Sequence, residues 1–358
     1  MSLDRFQLET GATQMQGTIE LGRDGGFHSA KFSQFRLSPG DDAKLEAARG
    51  ADAIKINVRG ANIDARPFLR TLGTTSVEPR GAAAPSAKGA MSFDDLDVDL
   101  KSTLVSGFGK QILSNVDMKW ERRGNRPRRF SLTGRFGRES LVAMLERNEK
   151  GLPQLEISCA DAGALFAFLD LYSRMDSGSV TASVQLTAPG HSDGVLNVQD
   201  FYLKNEPAIR QLMTQGAHRW DEKGGVRFDP ESVRMQRLQA QFGWAAGRLT
   251  LRDGVMSGPE MGLVFDGSMD FANEAIDIGG SYLPFYGLNN LVSNIPLVGP
   301  LLSGGAHEGV FGLNYSATGK LDAPTITVSP LSMLTPGLLR KIFGAMDGTA
   351  RNLYAPAK

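Results

Sequence analysis

Hydrophobic and polar positions alternate with period two along most of the chain. Ile54, Ile56 and Val58 alternate with Lys55, Asn57 and Arg59, and Leu96, Val98 and Leu100 with Asp95, Asp97 and Asp99. Val180, Ala182, Val184 and Leu186 alternate with Thr181, Ser183, Gln185 and Thr187. Leu249 and Leu251 stand between Arg248, Thr250 and Arg252, and Ile326 and Val328 between Thr325, Thr327 and Ser329. This is the pattern of strands with one apolar face. Turn signals such as Arg23-Asp-Gly-Gly, Arg123-Gly-Asn-Arg-Pro, Glu222-Lys-Gly-Gly and Arg252-Asp-Gly separate the runs. The pattern predicts a mainly β protein, built as a long meander of antiparallel strands.

Helices are predicted to be few and short. Asp161 can cap one that runs through Tyr172, with Leu165, Phe168 and Leu169 on one side. Pro207 can start a second that ends near Gly216, and Thr335-Pro336 a third with Leu338, Leu339, Ile342, Phe343 and Met346 on one face. A weak internal echo links two places. A strand from Ile56 leads into Asp64-Ala-Arg-Pro-Phe-Leu69, and a strand from Leu155 into Asp161-Ala-Gly-Ala-Leu. Both read as a strand, then Asp-Ala, then a short apolar helix. Between them, residues 73–90 are rich in Gly, Ala, Ser, Thr and Pro and read as a flexible linker or insertion. The expected organisation is a β segment over 1–72, this linker, a second domain over 91–344 and a tail over 345–358.

One stretch breaks the alternation. No Asp, Glu, Lys or Arg occurs between Asp277 and Glu308. Its length would suit a membrane helix, but Pro284, Pro296 and Pro300 break it and Asn289, Asn290 and Asn294 would need partners in lipid. Leu288, Leu291, Val292 and Ile295 instead fit one face of a two-turn helix, and Leu297, Val298, Leu301 and Leu302 a short apolar knob after it. Such a segment is either covered by protein or dipped into a membrane surface.

Composition narrows the function. The formal charge is zero, which argues against a large basic face for nucleic acid. The 42 glycines fit many turns. Cys159 is the only cysteine, so no intrachain disulfide can form. Met1-Ser-Leu-Asp-Arg-Phe-Gln-Leu has no basic region followed by an apolar one, so it reads neither as a signal peptide nor as an anchor. The chain is expected to begin inside a fold.

Several spellings look chemical. Gly190-His-Ser192-Asp-Gly194 matches a nucleophile elbow, which needs a strand before it and a helix after it. A strand pattern follows instead, so a hairpin turn is the expectation. Asp95-x-Asp97-x-Asp99 resembles the start of a calcium loop but has Leu100 and Ser106 where Gly and Glu belong, and reads as the polar face of a strand. His28, His191, His218 and His307 have no metal-ligand spacing with Cys159, so neither a metal nor a cofactor is expected. Arg122, Arg123, Arg126, Arg128 and Arg129 read as a solvated hairpin tip, with contact to anionic lipid headgroups as the other reading. No set of acid, base and nucleophile converges, and no enzyme is expected.

Residues 91–344 carry a resemblance that is specific toward its end. Tyr282-Leu-Pro-Phe-Tyr-Gly-Leu-Asn-Asn-Leu-Val-Ser-Asn-Ile-Pro-Leu-Val-Gly-Pro-Leu-Leu-Ser-Gly-Gly is similar to the C-terminal hallmark of AsmA-like proteins, in particular the YhdP-like branch. Glu308-Gly-Val-Phe-Gly-Leu-Asn-Tyr, Ala323-Pro-Thr-Ile-Thr-Val and Leu334-Thr-Pro-Gly-Leu-Leu-Arg-Lys-Ile-Phe continue it. Asp161-Ala-Gly-Ala-Leu, Asp170-Leu-Tyr-Ser-Arg-Met and Asp200-Phe-Tyr-Leu-Lys-Asn resemble other pieces of the same domain. The resemblance implies a periplasmic protein of the bacterial envelope, anchored in the inner membrane by a segment that this chain lacks. It implies a long curled β-sheet whose hydrophobic groove carries phospholipids between the inner and outer membranes.

On that reading the groove candidates are Ile54, Ile56, Val58, Leu96, Val98, Val184, Leu186, Leu249, Leu251, Ile326 and Val328. The candidates for contact with the outer membrane are Phe285, Leu288, Leu291, Ile295, Leu297, Leu301, Leu302, Leu339, Ile342 and Phe343. The alternative is an outer-membrane assembly factor whose sheet edge docks a β-barrel protein by strand addition.

Overall fold

A computed structural model of the chain describes residues 2–74, 95–211, 229–284 and 311–333, apart from 12, 24, 125, 189, 230 and 260. The chain divides into two compact units, Met1–Ser173 with Thr181–Gly190, and Arg174–Val180 with His191–Lys358.

The first unit opens with β1 (Ser2–Thr10), β2 (Thr13–Leu21), β3 (Phe27–Arg36), β4 (Asp42–Arg49) and β5 (Ile54–Asp64). Helix α1 (Arg66–Thr74) follows, then β6 (Leu96–Ser106), β7 (Ile112–Arg123), β8 (Arg126–Phe136), β9 (Glu139–Arg147), β10 (Pro153–Cys159) and α2 (Ala162–Phe168). From β1 to β5 and from β6 to β10 each strand pairs antiparallel with the next. Strand β12 (Ser179–Ala188), most of which belongs to this unit, pairs with β10.

The second unit holds β11 (Met175–Asp176), β13 (His191–Lys204), a helical turn at 207–211, β14 (Ser232–Ala245) and β15 (Arg248–Ser257). It continues with β16 (Met261–Asp270), β17 (Ala275–Pro284), β18 (Phe311–Lys320) and β19 (Pro324–Met333). Strands β13 to β19 form an antiparallel series, and β11 pairs with β13.

The mainly β antiparallel architecture with few short helices agrees with the alternation, and two features differ from it. Strands β5 and β6 pair in parallel, Ile56 opposite Val98 and Val58 opposite Leu100. A parallel return needs a crossover of a dozen residues or more, and α1 with the stretch after it supplies one. The expected linker, most of which lies outside the described residues, is thus part of a connection between two paired strands. The second difference is curvature. The sheet in each unit is open and uncurled. Period-two alternation determines which face is apolar, but bending depends on bulges and glycine kinks that it does not encode. Register shifts do occur, as between β2 and β3 and between β7 and β8, while from β8 to β10 the ladders run without one.

The helix after Asp161 also ends early. Asp161 caps it as the spacing predicts, accepting from Ala164 N–H at 2.9 Å. Asp170 then takes a left-handed φ of 59°, and Leu171 N–H bonds Phe166 C=O at 2.9 Å. This closes the helix at Phe168 rather than Tyr172. The echo is real at the level of elements: β5–Asp64–α1 and β10–Asp161–α2 both run strand, aspartate, short helix. Pro207 starts its helical turn, with Arg210 N–H on Glu206 C=O at 3.0 Å. The helix expected from Thr335-Pro336 lies outside the described residues.

Candidate functional site: an uncovered apolar sheet face

In the first unit the register assembles apolar rows across the strands. One row runs Ala30, Ala47, Ile56, Val98, Trp120 and Phe130, and the next Phe32, Leu45, Val58, Leu100, Met118 and Leu132. The groove candidates Ile54, Ile56, Val58, Leu96 and Val98 therefore come together on one face of adjacent strands, Ile54 opposite Leu96. Ser183 Oγ donates to Glu156 Oε2, which places both on the polar side of β12 and β10. Val184 and Leu186 accordingly share the other side with Leu155 and Ile157.

The two ends of this face differ in cover. Beneath α2, Val105, Leu113, Phe136, Leu141 and Cys159 are buried, and Phe168 meets Phe136 edge-on at 5.5 Å. Away from the helix, Ile56, Val58, Leu96, Val98, Leu100, Met118 and Trp120 are only half-buried. Side chains shielded by neighbours in a sheet but overlaid by nothing have this intermediate exposure. Of the predicted set here, Ile54 alone is buried, at 8% exposed.

The second unit repeats the arrangement. Phe242, Leu251, Gly267, Ile278, Ala317 and Ile326 form one row across six strands. Trp244, Leu249, Met269 and Ile276 form the row beside it. The candidates Leu249, Leu251, Ile326 and Val328 are thus on one face. Ile326 is buried, and Leu249, Leu251 and Val328 are half-buried. At the other end of β13 and β14, Phe201, Leu203, Val233 and Met235 are buried with Ile209 of the helical turn.

Sequence reasoning missed part of this face. Trp120, Phe242, Trp244 and Met269 belong to it, and the signal that could have found them is the register of each hairpin rather than alternation within one strand. The membrane-contact candidates Phe285, Leu288, Leu291, Ile295, Leu297, Leu301, Leu302, Leu339, Ile342 and Phe343 all lie outside the described residues.

The opposite face is ionic. Lys31 pairs with Glu46 at 2.8 Å, Arg59 with Asp99 at 2.7 Å, Lys101 with Asp117 at 2.9 Å and Arg123 with Asp97 at 2.6 Å. The hydrogen bond and charge of Glu46 raise the Lys31 pKa, and Lys31 lowers that of Glu46 in return. A shallow depression of about 550 Å³ opens on this side, lined by Lys44, Arg59, Lys101, Ser102, Thr103 and Asn115 among others.

The other motifs resolve as local structure. Ser192 lies within β13 opposite Trp244, with no helix behind it. Asp97 and Asp99 are the polar side of β6, and Asp95 accepts from Gly124 N–H. The Arg cluster sits at the β7–β8 turn, where Arg126, Arg128 and Arg129 are exposed and Arg122 lies 5.7 Å from the Trp120 ring centroid. His28 is on β3 and His191 on β13, while His218 and His307 lie outside the described residues. Burial pushes the Cys159 thiol up to about 11, and its Sγ–H donates to Asp161 C=O at 3.2 Å. Among the described residues no group of three or more His, Cys, Asp and Glu converges as a metal site, and no helix is long and apolar enough to cross a membrane.

The fold defines a mainly β protein with ionic and apolar sheet faces. No family model, curated protein or solved structure matches the chain.

Proposed function

We propose that this chain is the distal segment of a non-enzymatic lipid-carrying protein of the bacterial envelope, as its AsmA-like resemblance implies. Phospholipid acyl chains lie on the apolar sheet faces between the inner and outer membranes. The observation that carries this reading is the contrast in cover along one face. Rows of large apolar side chains stay half-exposed over many adjacent strands, while the helix-covered end of the same face is buried. Contiguous apolar patches of more than a few hundred Å² are rare on monomeric proteins and mark contact with something apolar. An uncurled sheet leaves that face open along its length, so a chain can enter from the side.

Site-specific photo-crosslinking in cells tests this. A benzophenone side chain at Val98 or Leu251 is expected to capture phospholipid, while one at Lys119 or Thr318 on the ionic face captures none. Equal lipid capture on both faces, or none on either, would overturn the reading. Protein adducts concentrated at the strand edges would put the docking alternative in its place.

A further inference from the structure

The basic tip between β7 and β8 has no part in the function proposed above, and the register ties it to the apolar face. Beside the row of Ala47, Ile56, Val98, Trp120 and Phe130 stands a final row of Arg49, Ile54, Leu96, Arg122 and Pro127. Its middle is apolar, and two of its members are arginines. Arg49 is exposed, and Arg122 is half-buried with its guanidinium carbon 5.7 Å from the Trp120 ring centroid. A register shift between Glu121 and Arg122 leaves Arg128 as an extra residue on β8. Arg126 and Arg128 are both exposed, and among the described residues neither they nor Arg49 enters an ion pair.

The nearby carboxylates lie on the other side. Asp97 and Glu121 alternate with Val98 and Trp120, so they stand on the ionic face, where they hold Arg123 at 2.6 Å and Arg129 at 3.4 Å. Asp95 is on that face too and accepts from Gly124 N–H at 2.8 Å. Asp52 is exposed in the β4–β5 turn and pairs with none of these arginines. At the opposite end of the strands α2 covers the apolar face, Phe168 lying on Phe136. A phospholipid on the open rows thus meets apolar cover at one end and surplus guanidinium charge at the other. The second unit differs. Its rows end at Trp244, 5.5 Å from the Phe271 ring, and Arg248 beside them is held by Asp270 at 3.0 Å.

We infer that Arg49, Arg122, Arg126 and Arg128 form a headgroup rim that favours phospholipids of net negative charge. The lipid phosphates lie against the guanidinium groups, and the acyl chains run along the rows toward α2. Arg49 and Arg122 stand three strand spacings apart, about 14 Å, so this is a broad open rim rather than a closed pocket. The inference rests on the lipid reading and deepens it by naming the headgroup class that the face selects.

Calorimetric titration of the full chain with soluble dihexanoylphosphatidylglycerol and dihexanoylphosphatidylcholine, which share their acyl chains, tests it. The wild type is expected to bind the anionic lipid at least about fivefold more tightly at low salt, with the gap shrinking as salt is added. In Arg122→Gln with Arg128→Gln the phosphatidylglycerol affinity should fall toward that for phosphatidylcholine. Lys110→Gln with Arg138→Gln removes the same charge at the other end of these strands, from exposed turn residues, and should keep the gap. Equal affinity of wild type for the two lipids, or an equal loss of preference in both double variants, overturns the inference and leaves the lipid reading standing. Inorganic phosphate binding as tightly as phosphatidylglycerol would mark a free-anion site and overturn the headgroup assignment. Binding of neither lipid would overturn the lipid reading and the inference with it.

Discussion

At the turn from β16 to β17 one carboxylate gathers three donors. Asp270 accepts from Asn273 Nδ2, from Arg248 Nη2 and from the Asn273 backbone N–H, each at 3.0 Å. These bonds, Asn273 first, hold its carboxyl down to about 2. A carboxylate that is depressed on folding stabilises the fold above the ordinary range near 4, and that stability is lost as pH falls toward the folded value. Asp270→Asn is therefore expected to lower Tm at pH 7, and the gap from wild type to narrow between pH 4 and pH 2. Parallel Tm curves for the two proteins across that range would sink the assignment. Asp64 works in the same direction, held below the usual range chiefly by the Arg66 side chain. At Gly254 the constraint is steric. A Cβ there would stand 2.3 Å from the Phe265 ring directly opposite. Gly254→Val should cost about 1–3 kcal/mol in urea unfolding through overpacking, and a neutral result would mean that the ring can swing aside.

Among the elements, α2 shows what cover contributes. Gly107 lets the Phe168 ring sit where a Cβ would meet it at 2.2 Å, and Phe108 N–H donates to Phe168 C=O. Removing the cap with Asp161→Ala should cost about 1 kcal/mol, and Phe168→Ala about 3–5 kcal/mol, both read by denaturant titration. A matched pair of substitutions on β6 tests whether the face beyond the helix is uncovered. Val105 is 7% exposed and Val98 is half-buried on the same strand. Val105→Thr should cost about 1–3 kcal/mol by burying a hydroxyl, while Val98→Thr stays within about 0.5 kcal/mol. Equal costs would show that something overlies Val98.

On the scale of the whole chain, each unit was legible in the sequence to a different depth. The strands, the ionic and apolar sides and the Asp161 cap followed from spacing, because period and capping act over a few residues. The aspartate-to-helix echo was visible for the same reason. The parallel β5–β6 pair was not, since pairing partners distant in sequence leave no local mark. Cross-strand neighbours were equally hidden: Arg237 and Ser257, 20 positions apart, stand opposite each other only through the β14–β15 register. Alternation in single strands picked out Val98 and Leu251 but passed over Trp120 and Trp244, whose place on the face depends on the strands beside them.

The parallel pair has a kinetic consequence. Between β1 and β10 every other ladder joins strands that follow one another along the chain, so each forms by zipping a hairpin. Only β5 and β6 must find each other across roughly thirty residues, a closure whose entropy is lost before any contact rewards it. That step divides the unit into two independent zippers, β1–β5 and β6–β10, and sets the rate at which they merge. Shortening the crossover should then speed refolding without changing the rate at which either hairpin series first forms.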